Sequence, residues 1–245
     1  MRLHGPIFPF TKPCDPDEML YVVPTPIGNL GDMTARGIEV LQKVALILAE
    51  DTRTSRVLLD HFGIQTPIRA FHQHNEHQVL SGLIDLLQAD KDIALISDAG
   101  TPGISDPGFL LIRACQEAEV DVTVLPGPTA FVPALVASGL PSDRFHFEGF
   151  LPHKKGRQSR LQWLAGYPYS IILYESPHRL IKCLEQISTF LPGRKVCVAR
   201  ELSKMHEDIR TGTVDELLTY YQGQSKVRGE VVLIIGPSAG SPGDE

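Results

Sequence analysis

Two aspartates, a threonine and three glycines fall within SDAGTPGISDPG, the stretch at 97–108. Carboxylates accept hydrogen bonds from hydroxyls and amines, and glycine lets backbone come close to a ligand. Asp98 and Thr101 are therefore candidates to hold the polar parts of a small molecule. The stretch follows the apolar run IALI and precedes FLLIRACQEA, which has helical spacing. Two more loops, PTPIGN at 24–29 and PGPTA at 126–130, share that setting between a strand and a helix. In open α/β sheets, ligands bind beyond the carboxyl ends of the strands. Three loops so placed predict a pocket. None has the G-x-G-x-x-G or G-x-x-x-x-G-K-[ST] spacing, so neither a dinucleotide nor a nucleoside triphosphate is indicated.

Other strand ends carry charge. AEDTRTSRVLL offers Glu50, Asp51 and Arg53. Asp51 or Thr52 suits a helix cap, and Arg53 suits a phosphate or a carboxylate partner. YESPHRL brings Tyr174, Glu175 and Ser176, and ARELSKMHE brings Arg200, Glu201 and Lys204. The histidines of HQHNEH (His72, His74, His77) lack supporting carboxylate or thiolate spacing, so no metal site is expected. Cys14, Cys115, Cys183 and Cys197 form no C-x-x-C pair. The last three sit in apolar settings and read as core residues of a protein from a reducing cytoplasm.

These residues need elements to position them. Short apolar runs (LYVV, VALILA, DIALIS, VTVL) alternate with amphipathic segments (TARGIEVLQKV, TSRVLLDHF, EHQVLSGLIDLLQ, FLLIRACQEA). That alternation predicts a mostly parallel sheet covered on both faces. A second set follows, with strands SIILYE, KVCVARE, EDIRTG and GEVVLIIG and helices HRLIKCLEQISTFL and TVDELLTYYQ. The expected organisation is an irregular arm at 1–19, an α/β domain at 20–140, a second α/β domain at 141–236 and a disordered tail at 237–245. The arm is rich in proline and lacks the apolar core of a signal peptide. No apolar run reaches the ~20 residues of a membrane helix, so no membrane association is expected. The net charge of −6 does not announce a nucleic-acid partner, although a local basic patch can serve one.

LYVVPTPIGNLGDMTARGIEVL, AEDTRTSRVLLDHFGI, SDAGTPGISDPG, LPGPTA, GLPSDRFHFEGFLP, YESPHRL, ARELSK and GEVVLII together resemble the tetrapyrrole-methylase-like family. They are most similar to its branch that methylates ribose 2′-oxygens, in particular a cytidine of small-subunit (16S) ribosomal RNA. The resemblance runs from about Leu20 to Ile235. It implies two α/β domains with a cleft between them for S-adenosylmethionine, and a cytoplasmic homodimer whose partner is small-subunit ribosomal RNA. Carried onto this chain, it places Ile27, Asp98, Thr101, Thr129, Ala130, Tyr174, Glu175, Leu202 and Gly229 about the cofactor. Relatives of that branch continue past the last strand into a small helical extension, where this chain reads GPSAGSPGDE; the departure bears on RNA affinity.

Methyl transfer to a hydroxyl needs alignment and a proton acceptor. Asp51, Asp106 and Glu201 are candidate bases, and position in the sequence does not choose among them. Arg53, Arg200 and Lys204 suit phosphate contact or hydroxyl polarisation, with a structural ion pair as the alternative. In HKKGRQSR, the residues Lys154, Lys155, Arg157 and Arg160 follow the domain junction and are read as RNA-backbone contacts, against the plainer reading of a solvated helix face. Two rival functions are a small-molecule (tetrapyrrole) methyltransferase of the same fold and a non-catalytic RNA-binding assembly factor.

Overall fold

A computed structural model describes residues 19–238 and 240. Most of the expected arm, with Cys14, and most of the expected tail lie outside the described residues. The chain forms two compact units. Among the described residues, the first holds Met19–Val23, Ala35–Asp98 and Pro107–Leu125; the second holds Pro24–Thr34, Ala99–Asp106 and those from Pro126 onward.

The first unit alternates strand and helix: β1 (Met19–Val22), α1 (Ala35–Lys43), β2 (Leu46–Ala49), α2 (Thr52–His61), β3 (Ile68–Ala70), α3 (Glu76–Leu87), β4 (Ile93–Ile96), α4 (Phe109–Glu117) and β5 (Asp121–Val124). Its sheet has the order β3-β2-β4-β1-β5, and every pairing is parallel. Parallel neighbours need a crossover, which the helices supply. The central strands are buried on both faces, which is why IALI and LILA are continuous apolar runs rather than alternating ones. Leu20, Leu48, Phe71, Leu83 and Ile93 are buried in one shared cluster. β3 was not expected from sequence. It is a three-residue edge strand with no buried position, too short to carry a pattern.

The second unit contains α5 (Phe131–Ser138), β6 (Phe145–Phe150), α6 (Arg157–Ala165), β7 (Ser170–Glu175), α7 (Leu180–Phe190), β8 (Val196–Arg200), β9 (Asp208–Gly212), α8 (Val214–Gln222) and β10 (Val231–Ile235). Its sheet runs β6-β7-β10-β8-β9. Only β6 and β7 pair in parallel, with α6 as their crossover; the others are antiparallel. Alternate residues serve opposite faces. Ile171, Leu173, Val231, Leu233 and Ile235 join a cluster with Leu161 and Leu184 of the helices. Ile172, Val232 and Ile234 join another with Ala134 and Leu135 of α5. Residues 126–140, expected within the first domain, thus belong to the second unit, because α5 buries its apolar face on the second sheet. Cys115, Cys183 and Cys197 are buried free thiols; burial pushes Cys115 up to about 11 and Cys183 up to about 12.

Candidate active site

Three loops leave β1, β4 and β5 and join the second unit, where backbone hydrogen bonds tie them together. Thr25 N–H donates to the Gly100 carbonyl and Gly100 N–H donates to the Thr25 carbonyl, both at 2.9 Å. The Thr101 hydroxyl donates to the Pro128 carbonyl at 3.1 Å. Gly127 lies so close under Pro24 that an added Cβ would come within 2.8 Å of its side chain. The glycine- and proline-rich stretches therefore form one stiff wall.

That wall bounds a cavity of about 380 Å³, within the size range of small-molecule sites. The end of β7 and the segment leading into β10 close it. Eight of the nine residues that the family resemblance places about the cofactor line this cavity: Ile27, Thr101, Thr129, Ala130, Tyr174, Glu175, Leu202 and Gly229. Asp98 does not. Its Oδ1 accepts the Asp51 N–H at 3.2 Å within the first unit. Sequence reading missed Phe150, Glu230 and Val232 of the lining. Gly229 beside Glu230 was the only local signal for the last two; Phe150 ends a strand that was not expected.

The chemistry of the wall is distinctive. Ile27, Ile104, Leu202 and Val232 offer apolar surface, Thr101, Thr129 and Tyr174 offer hydroxyls, and Asp106 and Glu230 offer carboxylates. Among the lining residues there is no lysine, arginine or histidine. Such a wall suits a cationic ligand without phosphate. S-adenosylmethionine meets that description through its sulfonium, adenine, ribose and amino-acid groups, so the residues present fit it. Gly229 sits at φ +89°, and a Cβ there would come within 2.2 Å of the Glu201 side chain. Backbone therefore forms that part of the wall.

Burial and neighbours set each charge. Tyr174 is pushed up to about 12, first by burial and then by the charge of Asp106, so its phenol is protonated at neutral pH. Glu175 is almost wholly buried yet doubly paired, to Arg157 Nη2 at 2.9 Å and Arg179 Nη2 at 2.8 Å. Ser176 N–H donates to it as well, at 2.8 Å. Arg157 also donates through Nε to Gln186 at 2.7 Å and is itself only 6% exposed. This corrects the expectation that Arg157 contacts RNA: its guanidinium is inside, holding Glu175. Arg160 gives two donors to Glu148, at 2.7 and 2.6 Å. Lys154 and Lys155 are exposed and meet no carboxylate among the described residues.

The candidate bases separate by environment. Asp51 caps α2 by accepting the Arg53 N–H at 2.8 Å, and its carboxylate pairs with the Arg53 side chain at 2.9 Å. Those hydrogen bonds lower it to about 2, which makes it a poor proton acceptor. Glu201 is held below its ordinary value, first by the hydrogen bond from Lys204. Lys204 Nζ bridges Glu201 at 2.9 Å and Glu230 at 3.1 Å, which fixes it in an ion-pair network. Asp106 is the one candidate base that lines the cavity. Arg200 is largely covered and lies between the Arg228 carbonyl at 3.3 Å and Asp208 at 3.9 Å, a sheet-edge ion pair rather than an open phosphate contact. Arg53 is exposed and engaged with Asp51.

Two α/β units and a stiff-walled small-molecule cavity without cations in its lining define a class of cofactor-binding enzyme. The profile of the Tetrapyrrole (Corrin/Porphyrin) Methylases matches residues 19–218, and the chain belongs to that family. It is similar to the ribosomal RNA small subunit methyltransferase I of Escherichia coli O157:H7, with 52% identity over 88% of this chain and 77% of the relative. The protein of that name from Synechocystis sp. is 52% identical over 89% of this chain and 78% of its own length. The one from Hydrogenobaculum sp. is 44% identical over 88% of this chain and 94% of its own. In fold, the chain matches the crystal structure of uroporphyrin-III-C-methyltransferase from Thermus thermophilus, with a TM-score of 0.61 and 19% identity, covering 89% of this chain and 94% of that one.

Proposed function

We propose that the chain is an S-adenosylmethionine-dependent methyltransferase acting on the 2′-oxygen of a cytidine in small-subunit (16S) ribosomal RNA. The observation that carries the cofactor reading is the cavity wall, which has carboxylates and hydroxyls but no cation among its lining residues. The names of the relatives support the RNA substrate. When bound, the cofactor supplies an electrophilic methyl group on a sulfonium.

The chain's own residues hold and orient. Ile27, Leu202 and Val232 exclude water from an apolar ligand surface, while Thr101 and Thr129 offer hydrogen bonds to its polar groups. Tyr174, kept protonated, is available as a donor. The acceptor hydroxyl must lose a proton as its oxygen bonds to carbon, and Asp106 is assigned that proton because it is the candidate carboxylate at the cavity. Alignment supplies the larger part of the acceleration and a base about 10²–10⁴-fold.

A cytoplasmic two-fold homodimer belongs to the same reading. Val132 and Val136 on one face of α5 are 44% and 72% exposed and suit a contact between copies. Among the described residues no helix is long and apolar enough to cross a membrane. Transfer of labelled methyl groups to small ribosomal subunits and to porphyrin precursors tests the function. Label on subunit RNA at a cytidine 2′-oxygen is the expected result; label on the tetrapyrrole overturns it. Light scattering tests the dimer and should report twice the 27.0 kDa chain mass.

A further inference from the structure

The second unit carries a group of aromatic and basic side chains that the cavity does not use, with Trp163 and Arg144 exposed and the others half-buried. Arg160 and Trp163 lie on α6, Tyr167 and Tyr169 on the segment leading into β7, and Arg144 and His146 at the start of β6. The Arg160 guanidinium stands 4.1 Å from the centre of the Trp163 ring. Trp163 and Tyr167 lie nearly parallel, 19° apart, with centroids separated by 6.5 Å. Tyr167 meets Tyr169 edge-on at 5.8 Å, and Arg144 lies 5.2 Å from the Tyr169 ring. The His146 ring contacts both Trp163 and Tyr167.

A group of touching aromatics is commonly the rim of a core, and Tyr167 does pack on the core behind it. Trp163 does not follow that pattern, since half of its surface (51%) stays in water. Glu148 grips Arg160 at two oxygens, which fixes the guanidinium plane beside the indole. The indole is therefore pre-oriented while it remains accessible.

The helix links this group to the active site. Phe150 lines the cavity, and Arg157 at the start of α6 bonds Glu175 of its wall. Between them lie Lys154 and Lys155, exposed and without a carboxylate partner among the described residues. Along the chain, the cavity wall is thus followed by two open cations and, one helix length on, by a stacking surface. Single-stranded nucleic acid is bound by that combination, with aromatic faces for bases and cations for the backbone. The charge complementarity is local, on a chain whose net charge is −6.

We propose that Trp163 and Tyr167 form a stacking platform for single-stranded RNA that extends from the cavity along α6, with Lys154 and Lys155 beside its phosphates. The proposal rests on the RNA-methyltransferase reading above and adds where the nucleotides flanking the target lie.

Trp163 is the only tryptophan of the chain, so its fluorescence reports on this surface alone. A short oligocytidine should quench it in a salt-dependent way, and the same RNA in a duplex should not. Trp163→Ala should raise the KM for small ribosomal subunits roughly tenfold or more, the size of one lost base stack, with cofactor affinity unchanged. Trp163→Phe should keep most of the wild-type KM. An unchanged KM for Trp163→Ala, in an enzyme that methylates small subunits, overturns the platform whether or not oligocytidine quenches the indole. If wild type transfers no methyl group to subunits but oligocytidine quenches Trp163, the substrate reading falls and the platform stands.

Discussion

Each of the two sheets presents a carboxylate–arginine pair at a strand end, at almost the same distance and in opposite circumstances. Asp51 and Arg53 follow β2 of the parallel sheet, 2.9 Å apart, with the Arg53 side chain 90% exposed. Glu175 and Arg157 meet at the end of β7 in the mixed sheet, also 2.9 Å apart, with the two side chains 1% and 8% exposed. Distance alone would rate them equal. Water screens the first pair, and flexible side chains lose entropy to form it, so it contributes little. The second has given up its hydration, and removing one partner strands a buried charge. The pair near the surface caps a helix, whereas the buried pair holds the wall of a cavity.

The largest expected effect follows from that contrast. Arg157→Ala should destabilise the fold by about 3 kcal/mol, at the lower end for a broken buried pair because Arg179 still reaches Glu175. Denaturant unfolding measures this. Replacing both partners, as Arg157→Met with Glu175→Gln, should recover part of the loss. A cost for Arg157→Ala no greater than that of Arg53→Ala would remove the distinction between the two pairs.

A smaller effect is expected on the neighbouring strand, at the segment leading into β10. Gly229→Ala would drive a Cβ into the Glu201 side chain, at a backbone angle that disfavours any other residue. Glu201 cannot easily swing aside, because its Oε1 accepts from both Lys204 Nζ at 2.9 Å and the Glu230 N–H at 3.0 Å. A loss of about 1–3 kcal/mol in stability is expected, together with weaker S-adenosylmethionine binding in titration calorimetry. Unchanged binding would separate Gly229 from the cofactor wall.

What could be read from sequence divides along physical lines. β4 and β10 were legible because strands buried on both faces are unbroken apolar runs. β6 was not. Its FHFEGF is interrupted by a shift of register between Phe147 and Gly149, which breaks the alternation a strand would show. α6 was hidden for a different reason: its buried positions are Arg157, Leu161 and Leu164, and the first of these reads as surface charge until Glu175 is seen beside it. The cavity loops announced themselves through glycine and proline, which act locally. The partnership of Arg157 with Glu175 depends on chain folded between them, so no spacing rule could supply it.

The smallest effects lie in the adjacent residues Glu50 and Asp51, and there the sign matters more than the size. Asp51 is lowered to about 2, chiefly by its hydrogen bonds from Arg53. Glu50 is raised above its ordinary value, first by burial and then by the charge of Asp98, with His72 opposing. For Asp51, the folded state prefers the ionised form. Its contribution is present above the unfolded value near 3.8 and fades as pH falls through about 2. Asp51→Asn keeps a capping side chain, so it removes only the charge. It should be slightly less stable than wild type at neutral pH, with the difference shrinking as pH falls from about 3.8 and gone only well below pH 2. For Glu50, the folded state prefers the protonated form, so ionisation costs stability. Glu50→Gln should therefore be slightly more stable than wild type at neutral pH, with the difference vanishing below the ordinary carboxylate value of 4.5. Melting curves across the acid range measure both. Differences of the same sign in the two variants would mean that net charge, rather than each group's own surroundings, governs this strand end.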